Sequence, residues 1–107
     1  MYRFYSNPKE EGQTRVVVVG DYSDNKLKIA VSRCSQRDSF VKIKGRHIAE
    51  GRLNKGKLFS ITPMNVCDSN IFVQVAKAIA KTVNKTKRCV LIDIKQESIR
   101  EPVRMEG

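Results

Sequence analysis

No stretch of this 107-residue chain approaches the ~20 consecutive apolar residues that a helix needs to cross a bilayer, which speaks against a membrane partner. The opening residues, Met1-Tyr-Arg-Phe-Tyr-Ser-Asn-Pro8, carry neither the apolar stretch nor the small-residue cleavage site of a secretory signal, so a cytosolic setting is expected. Cysteine is scarce and odd in number: Cys34, Cys67 and Cys89 have no close neighbour among themselves. A secreted disulfide framework uses even numbers at tight spacing, and buried free thiols are expected instead. Aromatic residues make up 7% of the chain, and they do not form the aromatic motif of an RNA-recognition sheet. Acidic residues are few as well, eleven against twenty-one Lys and Arg, which leaves a net charge of +10. A surplus of that size raises a surface potential that attracts polyanions.

The surplus is clustered. Arg33, Arg37, Lys42, Lys44, Arg46, Arg52, Lys55 and Lys57 fall in one segment that holds only two acids, Asp38 and Glu50. A second block, from Lys77 to Arg88, has five basic residues and no acid. The rest of the chain is close to neutral. Clustering of this kind is the electrostatic footprint of a nucleic-acid binder.

One domain accounts for the length, and a chain this size buries roughly two thirds of its unfolded surface. Arg15–Gly20 reads RVVVVG, a β-branched run that suits a buried strand. Lys26–Arg33 alternates, with Leu27, Ile29 and Val31 on one side and Lys26 and Lys28 on the other. The polar stretch Asp21–Asn25 joins them as a β-hairpin, and Tyr2–Tyr5 adds an edge strand. Asp38 or Ser39 would cap a helix that runs to about Asn54, with Phe40, Val41, Ile43, His47 and Ile48 on its apolar face. Gly45 and Gly51 each weaken that helix by about 1 kcal/mol, which keeps a strand over 40–44 open as an alternative. Gly56 then sits at a helix C-cap, and Lys57–Thr62 forms a short strand ended by Pro63.

A second helix is capped by Asp68 or Ser69. It carries Phe72, Val75, Ala76, Ile79 and Val83 on its core face and Lys77, Lys81 and Lys85 along a basic ridge. Cys89–Lys95 is a last, largely buried strand, and 96–107 form a loose polar tail beyond a domain of residues 1–95. The order is hairpin, helix, strand, helix, strand. It predicts an α+β two-layer sandwich with the helices on one face of the sheet.

The chemistry follows from the charge. Arg33, Arg37, Lys42, Lys44, Arg46, Arg52, Lys55 and Lys57 are the expected main phosphate-binding footprint, interleaved with Gly45, Gly51 and Gly56. Lys77, Lys81 and Lys85 form a secondary one. Replacing Arg46 and Arg52 together is the test this segment suggests. Tyr2, Tyr5 and Tyr22 are candidates for stacking on unpaired bases. Cys34, His47, Cys67 and Cys89 belong to the right chemical set for zinc, but the gaps of 13, 20 and 22 residues between them do not match the short-range ligand pairs of structural sites. Cys34 and His47 lack a third partner for nucleophilic catalysis. Asp93-Ile-Lys95 matches the acid-x-lysine half of a metal-dependent nuclease site, although Asp21, Asp24 and Asp68 do not stand in the context that a second acid requires. No catalytic residue, metal or cofactor is assigned.

The segment VSRCSQRDSFVKIKGRHIAEGRLNKGKLF, residues 31–59, resembles small uncharacterised bacteriophage-encoded proteins, in which a similar Ser-Arg-Cys-Ser turn leads into a basic, glycine-containing helix. The resemblance implies a phage or mobile-element source and the cytoplasm of an infected bacterium. It carries no functional residues across. Two expectations result: a non-enzymatic accessory protein that grips the nucleic-acid backbone, or a host-takeover protein that binds an acidic or nucleic-acid-handling host protein. The second needs an exposed apolar anchor beside the charge, for which Ile61, Met64 and Val66 are candidates.

Overall fold

The computed structural model of the chain describes residues 1–7, 14–34 and 42–94. Within them the valine run becomes the middle of an antiparallel sheet. Strands β1 (Tyr2–Tyr5), β2 (Arg15–Ser23), β3 (Lys26–Cys34) and β5 (Ser60–Pro63) lie in the order β1-β2-β3-β5. The short β4 (Lys57–Leu58) pairs separately with β6 (Ile92–Asp93). Helices α1 (Lys42–Asn54) and α2 (Ser69–Thr86) complete an α+β sandwich. The hairpin turns at Asp24 and Asn25, both at positive φ (51° and 57°), with Ser23 opposite Lys26. This is the two-residue turn whose twist matches the flanking strands and which Asn and Asp tolerate.

The helices do not share a face, and here the expected two layers are corrected to three. Successive strand residues point to opposite sides. Val16 and Val18 pack with Leu27, Ile29, Val31 and the α2 residues Phe72, Ala76, Ile79, Ala80 and Val83. Val17 and Val19 pack with Ala30, Leu58 and Ala49 of α1. All four valines are buried because the sheet is covered on both sides, the condition in which strands lose their polar alternation.

Helix α2 is built as its sequence predicts. Asp68 is the N-cap, and its Oδ1 accepts from the Ile71 amide at 2.8 Å. Lys87 closes the other end in the left-handed region, donating its amide to the Val83 carbonyl at 2.7 Å. Gly20 lies beneath it, where a Cβ would come within 2.5 Å of the Phe72 ring. At the far end Asn84 holds the start of β2: its Oδ1 accepts from the Thr14 amide (2.7 Å), and its Nδ2 donates to the Thr14 carbonyl (3.1 Å).

Helix α1 departs from expectation in its orientation. Residues 42–44 are helical, which settles the strand alternative, while Asp38, Ser39, Phe40 and Val41 lie outside the described residues. The face turned to the sheet carries Gly45, Ala49, Arg52 and Leu53. Ser32 Oγ donates to the Gly45 carbonyl at 2.8 Å, Ala49 is fully buried, and Leu53 packs on the Val17–Val19 cluster. The face expected to be core is outward: Ile43 is 60% exposed, Ile48 42%, and His47 is exposed beside them. The smaller residues let the helix main chain settle against Ala30 and Ser32, and the larger isoleucines are left outside.

Gly56 ends α1 at φ +77° and is doubly constrained, since a Cβ there would lie 2.8 Å from the Ile94 carbonyl. The last expected strand is cut down to Ile92–Asp93, with Val90 and Leu91 exposed. β5 already occupies that edge of the main sheet, so the segment finds only the two-residue ladder of β4. Lys95 and the expected tail, 96–107, lie outside the described residues. Among the described residues no helix is long and apolar enough to cross a membrane.

Candidate nucleic-acid interface

Of the eleven basic residues singled out in the sequence, the nine whose side chains are described are divided between the two faces of the sheet and do not form one surface. On the α1 side two arginines are spent on the fold. Arg52 Nη1 donates to the Val31 carbonyl at 2.6 Å. Arg46 lies 3.6 Å from Glu50, which also takes Arg3 Nε at 3.1 Å and so ties α1 to β1. Lys44 is exposed on the outer side of α1, Lys55 is exposed in the turn that follows the helix, and Lys57 is exposed in β4 opposite Asp93. Arg37 and the side chain of Lys42 lie outside the described residues.

On the α2 side the cations are gathered. Lys77, Lys81 and Lys85 are exposed and follow at intervals of four, so they form one row about 12 Å long at 1.5 Å per residue. Helix α2 contains no acid at all, and among the described residues none of the three lysines enters an ion pair. Lys87 and Arg88, exposed just past the helix end, extend the row. Arg33 joins them: it stands opposite Val16 in the β2–β3 register, two residues beyond the Thr14 that Asn84 clamps. The alternation that turns Leu27, Ile29 and Val31 to α2 puts Arg33 on the same side. Arg33, from the first sequence cluster, thus lies on the same side of the sheet as the whole of the second block. Lys87 and Arg88 were not among the residues assigned from the sequence. The absence of any acid from Ser69 to Ile92 was the signal that marks them.

Part of this charge has a local explanation. Lys85, Lys87 and Arg88 lie at the C-terminus of α2, where the helix dipole favours cations. Lys77 and Lys81 stand a turn or more further in and gain nothing from it. Lysines four apart repel by a few tenths of a kcal/mol per pair, so the row carries a standing repulsion that a polyanion would relieve. The side chains around it, Gln74, Ala78 and Thr82, are short or uncharged and leave the ammonium groups clear.

The three tyrosines are occupied. Tyr2 stacks on Phe72 with centroids 5.2 Å apart, and its hydroxyl donates to the Cys67 carbonyl at 3.2 Å. Burial, followed by neighbouring Cys67, pushes its phenol above the ordinary value. Tyr22 donates to the Met64 carbonyl at 2.8 Å, and Tyr5 is half-buried against the α1-side core. None of the three offers a free stacking platform.

The remaining candidates are scattered. Among the described residues no group of three or more His, Cys, Asp or Glu is placed to hold a metal ion. His47 is on the outside of α1, while Cys67 and Cys89 pack against the α2-side core. None of the three cysteines forms a disulfide among the described residues, and all are half-buried, more open than their expected burial. Asp93 is exposed in β6, Asp21 and Asp24 are exposed at the tip end of the hairpin, and Asp68 is engaged as a helix cap. The proposed anchor is broken up: Ile61 packs on the α1 side, Met64 on the α2 side, and only Val66 is open, at 66%. No family model, no curated protein and no solved structure matches the chain.

Proposed function

We propose that this is a small nucleic-acid-binding accessory protein that contacts the phosphate backbone without catalysis, through the outer face of α2. The observation that carries the reading is the acid-free helix with Lys77, Lys81 and Lys85 exposed in one row, unpaired among the described residues, two of them beyond the reach of any helix-end effect. Lysine is a point charge on a flexible stem, suited to phosphate contacts that fix position without reading bases. With Lys87, Arg88 and Arg33 the face offers six cations, and each phosphate neutralised on a duplex contributes about −0.9 to the slope of log K against log salt. The expected setting is the cytoplasm of an infected bacterial cell, as the resemblance over residues 31–59 implies.

The experiment is a fluorescence-anisotropy titration of labelled DNA and RNA at several salt concentrations. Binding in the micromolar range or tighter, with a slope of about −3 to −5, supports the reading. No binding at low salt, or binding indifferent to salt, would sink it.

A further inference from the structure

We propose that α2 enters the major groove of duplex DNA, with Asn70 and Gln74 at the base edges and the lysine row on the bounding phosphates. The inference rests on the backbone-binding reading and adds to it a type of duplex, a groove and a pair of base contacts.

The fold leaves α2 by itself. Among the described residues it is the one helix or strand that covers its side of the sheet, because Leu58 of β4 and Ile92 of β6 pack with α1 on the other. It therefore stands up as a single ridge of 18 residues, about 27 Å long at 1.5 Å per residue. A helix with its side chains is about 10–12 Å across, and the major groove of B-form DNA is about 12 Å wide and 8.5 Å deep. The deep, narrow major groove of an RNA duplex does not admit it.

The outer surface of the ridge changes character along its length. At about 100° per residue, Asn70, Gln74, Lys77, Lys81 and Lys85 fall within about 80° of one another. The buried Phe72, Ala76, Ile79 and Val83 lie diametrically opposite. Lysines hold the second half of this stripe and the two amides hold the first. Asn70 and Gln74 are exposed, and among the described residues neither side chain is hydrogen-bonded. A side-chain amide donates and accepts through adjacent atoms, the pattern that N7 and N6 of adenine complete in the major groove. Ala78 and Thr82, exposed beside the stripe, are small and suit contact with a thymine methyl group. Asp68, the acid at this end, is engaged by the Ile71 amide as the helix cap. A groove-bound helix puts its early residues on base edges, and a tilt out of the groove beyond Lys77 carries the lysines over the strand that bounds it.

The test is anisotropy of the full chain on short duplexes of equal length at one salt concentration. The probes are A·T-only DNA, the same DNA with 7-deazaadenine for adenine, G·C-only DNA, and an A·U-only RNA duplex. The 7-deaza base keeps charge and pairing and removes only the N7 acceptor. A·T DNA should bind about tenfold more tightly than each of the other three, the worth of one good bidentate contact. Asn70→Ala with Gln74→Ala should level the DNA affinities and leave the salt slope as it was. Both residues are exposed, so the variant keeps its fold, which far-UV circular dichroism verifies. Equal binding of the DNA and RNA duplexes, indifference to 7-deazaadenine, or a preference that survives the double substitution overturns the proposal. In those cases a steep salt slope leaves the backbone reading standing. Binding to no duplex at low salt overturns both.

Discussion

Arg52 reaches from α1 to the main chain of β3, donating through Nη1 to the Val31 carbonyl at 2.6 Å. The carbonyls of Ile29 and Val31 lie on the same edge of β3. The Ile29 carbonyl accepts from the Phe59 amide, and the residues just before Phe59, Lys57–Leu58, pair as β4 with β6 and not with β3. Arg52 therefore takes the place of a strand, and its charge is committed to the fold.

Replacing Arg52 with Ala should accordingly act on stability. Loss of a hydrogen bond from a charged donor to a partly buried carbonyl costs about 1.5 kcal/mol. Urea unfolding should show the midpoint falling with the slope unchanged, while the nucleic-acid affinity of the folded protein stays within about twofold. A large affinity loss at unchanged stability would return Arg52 to the binding surface.

The ridge of α2 should behave in the opposite way. Lys77→Gln, Lys81→Gln and Lys85→Gln together remove up to three phosphate contacts, so the log K against log salt slope should become shallower by about 2.7 on duplex DNA. Stability should hold or rise slightly, because two like-charge pairs at four-residue spacing disappear. The parallel triple substitution at Lys44, Lys55 and Lys57, with the same change in net charge, should leave most of the slope in place. Equal losses from both triples would mean that net charge alone drives binding.

Gly20 and Phe72 make a packing prediction. Gly20→Ala puts a methyl group 2.5 Å from the Phe72 ring and 3.2 Å from Leu27, and overpacking of this kind costs about 1–3 kcal/mol. Phe72→Leu in the same chain should recover part of the loss, which a double-mutant cycle by thermal or urea unfolding measures. Additive losses would show that the two residues are not in contact in solution.

What the sequence made legible follows from how local each signal is. The hairpin, the Asp68 cap, the core face of α2 and Gly56 depend on residues within a few positions, and all four are observed. Arg15–Gly20 even held the layer count: Val16 to Val19 has no polar alternation, as a strand covered on both sides requires. The face of α1 was misread because helical spacing supports more than one stripe in Lys42–Asn54. Side-chain size favoured Ile43 and Ile48, whereas close packing on Ala30 and Ser32 selected Gly45 and Ala49. The site was half legible. Clustering of charge along the chain was visible, but the sheet between α1 and α2 divides it, and the engagement of Arg46 and Arg52 depends on residues from β1 and β3.

The interior position of the tyrosines decides which strand form the α2 face should prefer. Proteins that hold single strands combine a basic groove with aromatic side chains on which bases stack, each stacked base being worth about 1–3 kcal/mol. Every aromatic among the described residues is buried or half-buried, with Tyr2 against Phe72 and Tyr22 bonded to the Met64 carbonyl. What remains is a straight, rigid row of lysines, and a duplex presents its phosphates on an equally rigid frame, one charge per about 1.7 Å of axis. A duplex should therefore compete more strongly than a single strand of equal charge for the same protein, because each phosphate contact releases more counterion from a duplex, with a salt slope of about −0.9 per contact against about −0.7 for a single strand. Tyr22→Leu, which removes the ring together with its hydroxyl, should leave both affinities unchanged and lower only stability, through the lost packing and the lost bond to Met64. Competition titrations at fixed salt measure the ratio. Single-strand preference, or an affinity loss in the Tyr22→Leu protein, would mean that a tyrosine leaves its packed position to meet a base.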